Sequence, residues 1–249
     1  MGTLRCQGIF KSFDGVRALA GAGLEFPSSG IVAVIGPNGA GKTTLLNILT
    51  GFLRPDAGRC FLGDGETTHL APHRIAQLGV ARTFQDLRLI SQVSTLENVL
   101  LARPRQRGET LLGALFRLGV AAEEARNRAE AMQLLQFVGL EEKAAEPAGD
   151  LSYGQQKLLT LACCLATKAK ILLLDEPVAG VHPEMVSHIL GLLRQLREDG
   201  KLVVFIEHDI TAVRQVADLV IVMDEGKIIA QGPPGEVLER PEIMEAYLG

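Results

Sequence analysis

One short stretch of the sequence combines glycines, a lysine and a threonine at the spacing of a phosphate-binding loop. Glycines let the backbone curl so that its N–H groups point at a phosphate, and the helix that follows adds its positive end. Lys42 can reach the β- and γ-phosphates, and the Thr43 hydroxyl can be a ligand of Mg²⁺. The stretch consists of Gly36, Pro37, Asn38, Gly39, Ala40, Gly41, Lys42 and Thr43, with Thr44 as a further binding candidate. It predicts a nucleoside triphosphate site, and a glycine-rich turn without nucleotide is the alternative.

Two adjacent carboxylates follow an apolar run. Residues 172–174 are all leucine, as in a buried strand, and Asp175 and Glu176 stand at its carboxyl end. Ligands of open α/β sheets bind at that edge. Asp175 is placed to hold Mg²⁺ through a bound water, and Glu176 to orient and deprotonate an attacking water. Solvated acids at a strand end are the simpler interpretation, and the phosphate loop in the same chain favours the catalytic one.

Two further polar side chains follow apolar runs in the same way. Gln85 comes after residues 80–84, and its amide could bind a metal-bound water or the attacking water. His208 comes just after a strand-like run ending at Ile206, where its imidazole could donate to a γ-phosphate. A lone histidine is more often structural, so each of these two residues by itself is a weak signal.

Residues 151–156, Leu-Ser-Tyr-Gly-Gln-Gln, indicate the start of a second helix that could bind an anion. Asp150 or Ser152 can cap this helix, and Gly154 leaves its first turn open to close approach. Because the chain already has one phosphate loop, a second anion site would serve the nucleotide of another molecule. The hypothesis is a dimer with nucleotide between the protomers, and an ordinary capped helix is the alternative.

Strands alternating with helices must position these groups, and that alternation predicts a parallel α/β sheet. The β-branched run 31–35 is typical of a strand buried on both faces, and a helix from about 41 to 53 follows it. The other predicted strands are 4–9, 24–26, 60–62, 171–174, 202–206, 219–222 and 228–229. Helices are predicted at roughly 183–198, at 121–138, and after the Ser94–Glu97 capping-box pattern. The helical middle of the chain suggests an insertion in one α/β domain.

Composition limits the classes of protein to which the chain can belong. Its 249 residues carry a formal net charge of −4, with 47% hydrophobic residues, 4% aromatic residues and no Trp. An acidic, aromatic-poor chain disfavours nucleic acid as a partner. The four cysteines fit no metal-ligand spacing and are expected to be buried thiols. We find neither a bilayer-spanning run of about 18–20 apolar residues nor an apolar signal core, so a cytosolic location is expected.

The order of these motifs resembles that of the ATP-binding domain of ABC transporters, over essentially the whole chain, 1–249. The resemblance implies an α/β P-loop NTPase fold: a RecA-like core with a mixed sheet, an N-terminal antiparallel β region, and a helical subdomain inserted at approximately 86–160. Residues 36–43 resemble Walker A, 151–155 the signature usually written LSGGQ, and 171–175 Walker B. His208 lies 33 residues after Asp175, as is usual in the family.

The resemblance also implies the role of each site residue. Glu176, His208, Gln85 and Lys42 would be catalytic. Phe13 would stack on adenine, residues 36–44 would bind ATP, and Ser152, Gly154 and Gln155 would contact the partner subunit's ATP. Thr43, Gln85 and Asp175 would hold Mg²⁺.

Two positions depart from the family pattern. Tyr153 replaces the first signature glycine, whereas the serine and the second glycine remain. The D-loop, usually close to SALD, reads Val-Ala-Gly-Val-His at residues 178–182, so that His182 replaces an acid or an asparagine. The second departure puts the coupling between two ATP sites in doubt, but not ATP binding.

Further details resemble the ATP-binding subunits of branched-chain amino-acid importers. They are residues 82–85 (Arg-Thr-Phe-Gln), the signature, residues 175–180 and the carboxyl end 246–249. The expected partners are a second ATP-binding subunit, identical or paralogous, transmembrane permease subunits and, indirectly, a periplasmic or extracellular solute-binding protein. The expected location is the cytoplasmic face of the membrane. Alternatives are a urea or short-chain amide importer, a lipopolysaccharide-export ATPase, a soluble ABC protein of DNA repair or translation, and a small-molecule kinase.

Overall fold

The computed structural model describes residues 3–85, 87–104, 120–241 and 243. The chain divides into two compact units, the first comprising residues 1–82 and 170–249 and the second residues 83–169. That the two units make up a single ATP-binding domain with a helical subdomain at about 86–160 stays a prediction. Residue 86 and the carboxyl end 246–249, which the sequence analysis used, lie outside the described residues.

The predicted helices and strands occur in the expected order, the predicted strand 24–26 is the end of a longer strand, and further short helices and strands lie between them. The first unit begins with β1 (Leu4–Phe13), β2 (Val16–Glu25), β3 (Gly30–Ile35), α1 (Lys42–Leu49), β4 (Ala57–Leu62), β5 (Gly65–Glu66), α2 (Pro72–Gln77) and β6 (Val80–Arg82). The second unit contains α3 (Thr95–Leu101), α4 (Val120–Phe137), two 3₁₀ turns (Glu141–Lys143 and Ala148–Asp150) and α5 (Tyr153–Ala166). The chain returns to the first unit with β7 (Ile171–Asp175), α6 (Pro183–Glu198), β8 (Leu202–Ile206), α7 (Ile210–Val216), β9 (Leu219–Asp224), β10 (Lys227–Gly232) and α8 (Pro234–Val237).

The larger sheet of the first unit sets the position of the candidate site. Among the described residues its strand order is β10-β9-β3-β8-β7-β6. All pairs are parallel except β10 with β9. Residues 31–35, β7 and β8 are buried throughout, which explains their continuous apolar sequences. Because parallel strands end at one edge, the carboxyl ends of β3, β6, β7, β8 and β9 lie along the same side of the sheet.

The smaller sheet confirms the expected N-terminal antiparallel region. Its described strands lie in the order β2-β1-β4-β5. Strand β1 extends to Phe13, whereas the alternation predicted an end near residue 9. The register shifts between Cys6 and Ile9, with Gly8 at a φ of 58°. Such a bulge breaks the period of two on which the sequence prediction rested.

Helix α1 ends at Leu49, four residues before the predicted end. Gly51 has a φ of 74°, its N–H donates to the Ile48 carbonyl (3.0 Å), and the Leu53 N–H donates to the Asn47 carbonyl (3.1 Å). A left-handed glycine of this kind terminates a helix. Apolar residues after Gly51 continued the helical pattern and made the predicted helix too long.

The second unit is helical, as expected. Ser94 caps α3 in a capping box with Glu97, and α3, α4 and α5 pack on one another. Glu130 of α4 accepts hydrogen bonds from Lys168 (2.9 Å) and Arg103 (2.7 Å). These two bonds lower the pKa of Glu130 to about 2. The carboxylate therefore joins α4 to the segments that follow α3 and α5.

All four cysteines are free thiols, and Cys6, Cys60 and Cys164 are buried. Burial raises the pKa of Cys6 to about 11 and that of Cys163 to about 12, so these thiols stay protonated at neutral pH. The predicted burial of the cysteines is confirmed, with Cys163 half-buried.

Each helix in the described part of the chain is too short or too polar to cross a lipid bilayer.

Candidate active site

The phosphate loop lies between the end of β3 and the start of α1, as its spacing predicted. Gly36 has a φ of 151° and Gly41 a φ of 95°. A Cβ at Gly36 would collide with the Met223 carbonyl oxygen, and one at Gly41 with the Ala18 carbonyl oxygen. Glycine is therefore required at both positions, for conformation and for close packing. No side chain caps the amino end of α1, so the phosphate loop itself precedes the first N–H groups of the helix.

The turn between β9 and β10 supports the loop from one side. The Gly226 N–H donates to the Ala40 carbonyl (3.1 Å), and the Gly226 carbonyl accepts from the Ala20 N–H (2.9 Å). The predicted strands 219–222 and 228–229 lie on either side of this turn, but its contact with the loop was not predicted. The residues in contact are far apart in sequence, and no local pattern signals such a pairing.

Lys42 is folded over its own loop. Its Nζ donates to the carbonyl oxygens of Gly36 (2.7 Å) and Pro37 (2.9 Å), and the side chain is buried. Burial lowers the pKa of Lys42, and the negative charges of Glu176 and Asp175 partly oppose that shift. The structure thus brings the lysine and both predicted carboxylates together.

Asp175 ends β7 and forms a buried ion pair with Arg82 of β6. The Arg82 Nη2 lies 3.1 Å from Asp175 Oδ2, with side chains 4% and 5% exposed respectively. Nη1 of the same guanidinium donates to Asn47 Oδ1 (2.7 Å) on α1. Arg82 entered the sequence prediction only through the resemblance of residues 82–85 to importer subunits, although a charged residue that continues an apolar run was a signal of a structural role.

Glu176 follows Asp175 with a left-handed backbone. Its φ is 50°, and its N–H donates to the Ile206 carbonyl (3.0 Å) of the neighbouring β8. Glu176 Oε1 lies 3.5 Å from Nε2 of His208, the histidine predicted from the other strand end. A non-glycine residue in this conformation costs about 1 kcal/mol or more, and such strain clusters at functional sites.

Glu207, between β8 and His208, was missed by the sequence analysis. Its side chain is buried, Oε1 accepts from the Val178 N–H (2.9 Å), and Oε2 accepts from the His208 N–H (3.2 Å). The carboxylate therefore ties the segment after Glu176 to the segment that carries His208. Its signal in the sequence was an acid directly after the apolar run of β8.

The remaining candidates of the first unit lie on its surface. Thr43 is exposed and Thr44 half-buried at the start of α1. Phe13 is 45% exposed and pairs with Val16 across a tight hairpin. His182 is exposed at the N-cap position of α6, where its side chain makes no capping bond. A planar ligand could approach Phe13 without displacing core residues.

Four candidates lie in the second unit. Gln85 is exposed. Ser152, not Asp150, caps α5: it accepts from the Gln155 N–H (3.4 Å), and Gln155 Oε1 accepts from the Ser152 N–H (2.9 Å). Gly154 is in the first turn, and Tyr153, at the departure from the family signature, is 48% exposed. A hydroxyl that accepts from an amide keeps its own hydrogen to donate, so Ser152 can cap the helix and bind an anion.

Comparison with known proteins decides the family. The sequence profile of the family described as "ABC transporter" matches residues 19–179, more than half of the chain. The chain belongs to the ABC transporter family. Members of this family bind nucleotide, and as an ABC ATPase the protein is an ATP-hydrolysing enzyme.

Relatives of this ABC ATPase match it over nearly its full length. It is 38% identical to the high-affinity branched-chain amino acid transport ATP-binding protein BraF of Pseudomonas aeruginosa, over 99% of this chain and 97% of that one. The crystal structure of a nucleotide-free ATP-binding cassette from an ABC transporter shares 34% identity over 100% of both chains, with a TM-score of 0.86. A dimeric cassette bound to ADP and Pi shares 26% identity over 93% of this chain and 98% of that one, with a TM-score of 0.80. These similarities confirm the expected fold class.

Proposed function

We propose that this ABC ATPase powers the import of branched-chain amino acids through separate transmembrane permease subunits. The similarity to BraF, a branched-chain amino acid transport ATP-binding protein, carries the proposal, because it extends over 99% of this chain. The solute itself would be recognised by the permeases and by a solute-binding protein. The ATPase would lie at the cytoplasmic face of the membrane, held there by the permeases.

Residues of the first unit would bind ATP and Mg²⁺. The backbone of residues 36–44 and Lys42 would hold the phosphates, and Phe13 would stack on adenine. Mg²⁺ takes hard oxygen ligands and keeps several of its waters. The Thr43 hydroxyl and the Asp175 carboxylate, both in the first unit, supply such ligands, so the donor chemistry fits. The metal, when bound, would neutralise charge on the β- and γ-phosphate oxygens.

Glu176 is the proposed general base. Its carboxylate would orient a water and accept its proton while the water oxygen bonds to the γ-phosphorus and the bond to the ADP oxygen breaks. His208, 3.5 Å from Glu176, would donate to the γ-phosphate and so keep that phosphate close to the Glu176 carboxylate. Glu207 accepts hydrogen bonds from the backbone N–H groups of Val178 and His208, and so holds the segments that carry Glu176 and His208.

Two copies of the chain, or this chain and a paralogous ATPase, would enclose two ATP molecules. Ser152, Gly154 and Gln155 of one protomer would face the phosphate loop of the other. The capped start of α5 offers N–H donors and a hydroxyl to an anion. The related dimeric cassette with ADP and Pi supports this arrangement. Closure on ATP and reopening after hydrolysis would drive the permeases between their two access states.

Purification from membranes tests the transport role. The tagged protein should be recovered with hydrophobic permease subunits; recovery with ribosomes or DNA instead would contradict it. Uptake of radiolabelled leucine, urea and acetamide by a deletion strain then identifies the solute. Loss of leucine uptake alone, restored by the intact gene, is expected. Loss of urea or amide uptake with leucine uptake intact would overturn the branched-chain assignment and favour the urea or amide importer.

A further inference from the structure

Arg82 holds the proposed metal-binding carboxylate against the helix that follows the phosphate loop. Its guanidinium donates to Asp175 Oδ2 (3.1 Å) through Nη2, and to Asn47 Oδ1 (2.7 Å) and Thr50 Oγ1 (3.4 Å) through Nη1. Strands β6 and β7 are thereby fastened to α1 by one side chain. All of these residues belong to the first unit.

The bond between Arg82 and Asn47 matters because of where Asn47 lies on α1. Asn47 follows Thr43 by four residues on α1, so the two side chains lie on the same face of the helix, one turn apart. Thr43 and Asp175 are both proposed ligands of Mg²⁺, one on the helix and one on the sheet. A side chain that joins Asp175 to Asn47 therefore sets the separation between the two ligands.

The chemistry of arginine suits this task. The guanidinium is a rigid plane whose terminal nitrogens point in fixed directions, so it can orient a carboxylate as well as neutralise it. Arg82 and Asp175 are both almost fully buried, which protects the pair from solvent screening. Because Arg82 donates to Oδ2, the guanidinium fixes the orientation of the Asp175 carboxylate at the end of β7.

We propose that Arg82 is a positioning residue: it sets the distance and orientation of Asp175 relative to Thr43 and so tunes Mg²⁺ binding beside the nucleotide. This inference rests on the proposed nucleotide and Mg²⁺ site. In this proposal Arg82 acts through Asp175 and not by a contact of its own with ATP.

Arg82→Lys tests this role, because lysine keeps the positive charge but lacks the fork that joins Asp175 to Asn47. We would measure the affinity of the full-length protein for a fluorescent ATP analogue, once in Mg²⁺ and once in EDTA. The affinity in EDTA should stay within about twofold of the wild-type value. The ratio of the two affinities should fall by about tenfold, the usual lower bound for loss of a residue that orients a metal ligand.

Asn47→Ala gives a second, independent measurement. This variant leaves the ion pair and the longer bond to Thr50 (3.4 Å) in place but removes the shorter bond to α1, that to Asn47 (2.7 Å), so the same ratio should fall, by a smaller factor. If Arg82→Lys does not fold, as loss of a buried pair can cause, Asn47→Ala alone decides the question. Mn²⁺ in place of Mg²⁺ allows the bound metal to be observed by electron paramagnetic resonance, which is independent of turnover.

Arg197→Lys is the matched control. Like Arg82, Arg197 forms an ion pair with an aspartate, Asp218 (Oδ1, 3.0 Å). Asp218 also accepts a hydrogen bond from the Ile31 N–H, at the edge of the sheet opposite to the proposed site. The ratio of affinities of this control variant should equal the wild-type ratio. If folded Arg82→Lys keeps the wild-type ratio of the affinities in Mg²⁺ and in EDTA, the proposed role of Arg82 is wrong, although the nucleotide site stands. If Arg82→Lys does not fold, the same result in Asn47→Ala has the same meaning. Wild-type protein that binds no nucleotide in either condition would overturn the proposed site as well.

Discussion

Nε2 of His208 lies 3.5 Å from Oε1 of Glu176, although the two residues follow different strands, β8 and β7. Glu207 maintains this proximity by accepting from the N–H groups of Val178 and His208. The proposed base and the proposed γ-phosphate contact thus lie close together at the edge of the sheet, and Glu207 links the segments that follow their strands. A substitution at the end of β7 should therefore change the position of residues at the end of β8, and the reverse.

Glu176→Gln should stop hydrolysis while leaving ATP bound. Glutamine has the shape of glutamate but cannot accept the proton of the attacking water, so kcat should fall by about 10²- to 10⁴-fold. ATP affinity should be retained, and ATP should accumulate on a dimer that does not reopen. Phosphate release measures the first effect, and light scattering with and without ATP the second.

Glu225→Gln is the control for that variant. Glu225 is exposed and, like Glu176, has a left-handed backbone, with a φ of 45°. The substitution therefore tests the change from acid to amide in the same backbone conformation, in a turn that contacts the phosphate loop through the Gly226 backbone. It should hydrolyse ATP at the wild-type rate. Hydrolysis near that rate by Glu176→Gln would contradict the assignment of the base.

Glu207→Gln should lower both stability and kcat. The glutamine side chain has one oxygen to accept from two N–H groups, and its NH₂ would face the other donor. Loss of a buried acceptor costs about 1–3 kcal/mol in free energy of unfolding. Because Glu207 bonds to the segments after β7 and β8 that carry Glu176 and His208, kcat should change more than ATP affinity.

Urea denaturation and the dependence of the rate on ATP concentration separate these effects. Glu198→Gln, an exposed acid at the end of α6, should leave the free energy of unfolding and kcat unchanged. If Glu207→Gln has the wild-type kcat, this carboxylate is not needed to hold the ends of β7 and β8 in their relative positions.

The sequence predicted those parts of the site that depend on local patterns. The phosphate loop needs glycines at fixed spacing because its backbone geometry and its packing admit no other residue, as at Gly36. The helix 183–198 was predicted with its observed bounds, because Pro183 marks its first turn and its apolar stripe continues to Leu196. The edge of a parallel sheet then places Asp175, Glu176 and His208 on one side.

The pairings of these residues were beyond prediction from the sequence. Arg82 and Asp175 are 93 residues apart, and Val178 and Glu207 are 29 residues apart. Each pair forms only after the order of β6, β7 and β8 is established. A charged residue next to an apolar run signals that it needs a partner, but it does not identify the partner.

Alanine at Gly36 should be far more destabilising than alanine at Gly39, although both belong to the phosphate loop. A Cβ at Gly36 would collide with the Met223 backbone, whereas at Gly39 it would meet no atom within 4 Å. Gly39→Ala should cost about 1 kcal/mol from its φ of 83° alone. Gly36→Ala should cost about 3 kcal/mol, since overpacking adds to strain. Equal shifts of the urea midpoint in the two variants would contradict the packing described for β9.

The ion triad of Glu130 gives the second unit an acid-dependent stability. The pKa of Glu130 is lowered to about 2 by its bonds to Lys168 and Arg103. A lowered pKa means that the folded state favours the charged carboxylate, so the triad stabilises the fold above the pKa of the unfolded chain, about 4.5. This stabilisation decreases as the pH falls from about 4.5 and is lost below about 2.

Glu130→Gln should therefore lower the free energy of unfolding at pH 7 by about 1 kcal/mol, a typical value for a partly exposed ion pair. The difference from wild type should be smaller at pH 3 than at pH 7, because protonation of the unfolded wild-type chain removes the advantage of the triad. Urea denaturation at pH 7, 5, 4 and 3 measures this trend. Glu141→Gln, an exposed acid of the same unit, should stay within about 0.5 kcal/mol of wild type throughout. A difference for Glu130→Gln that does not depend on pH would mean that the side chain contributes packing and not charge.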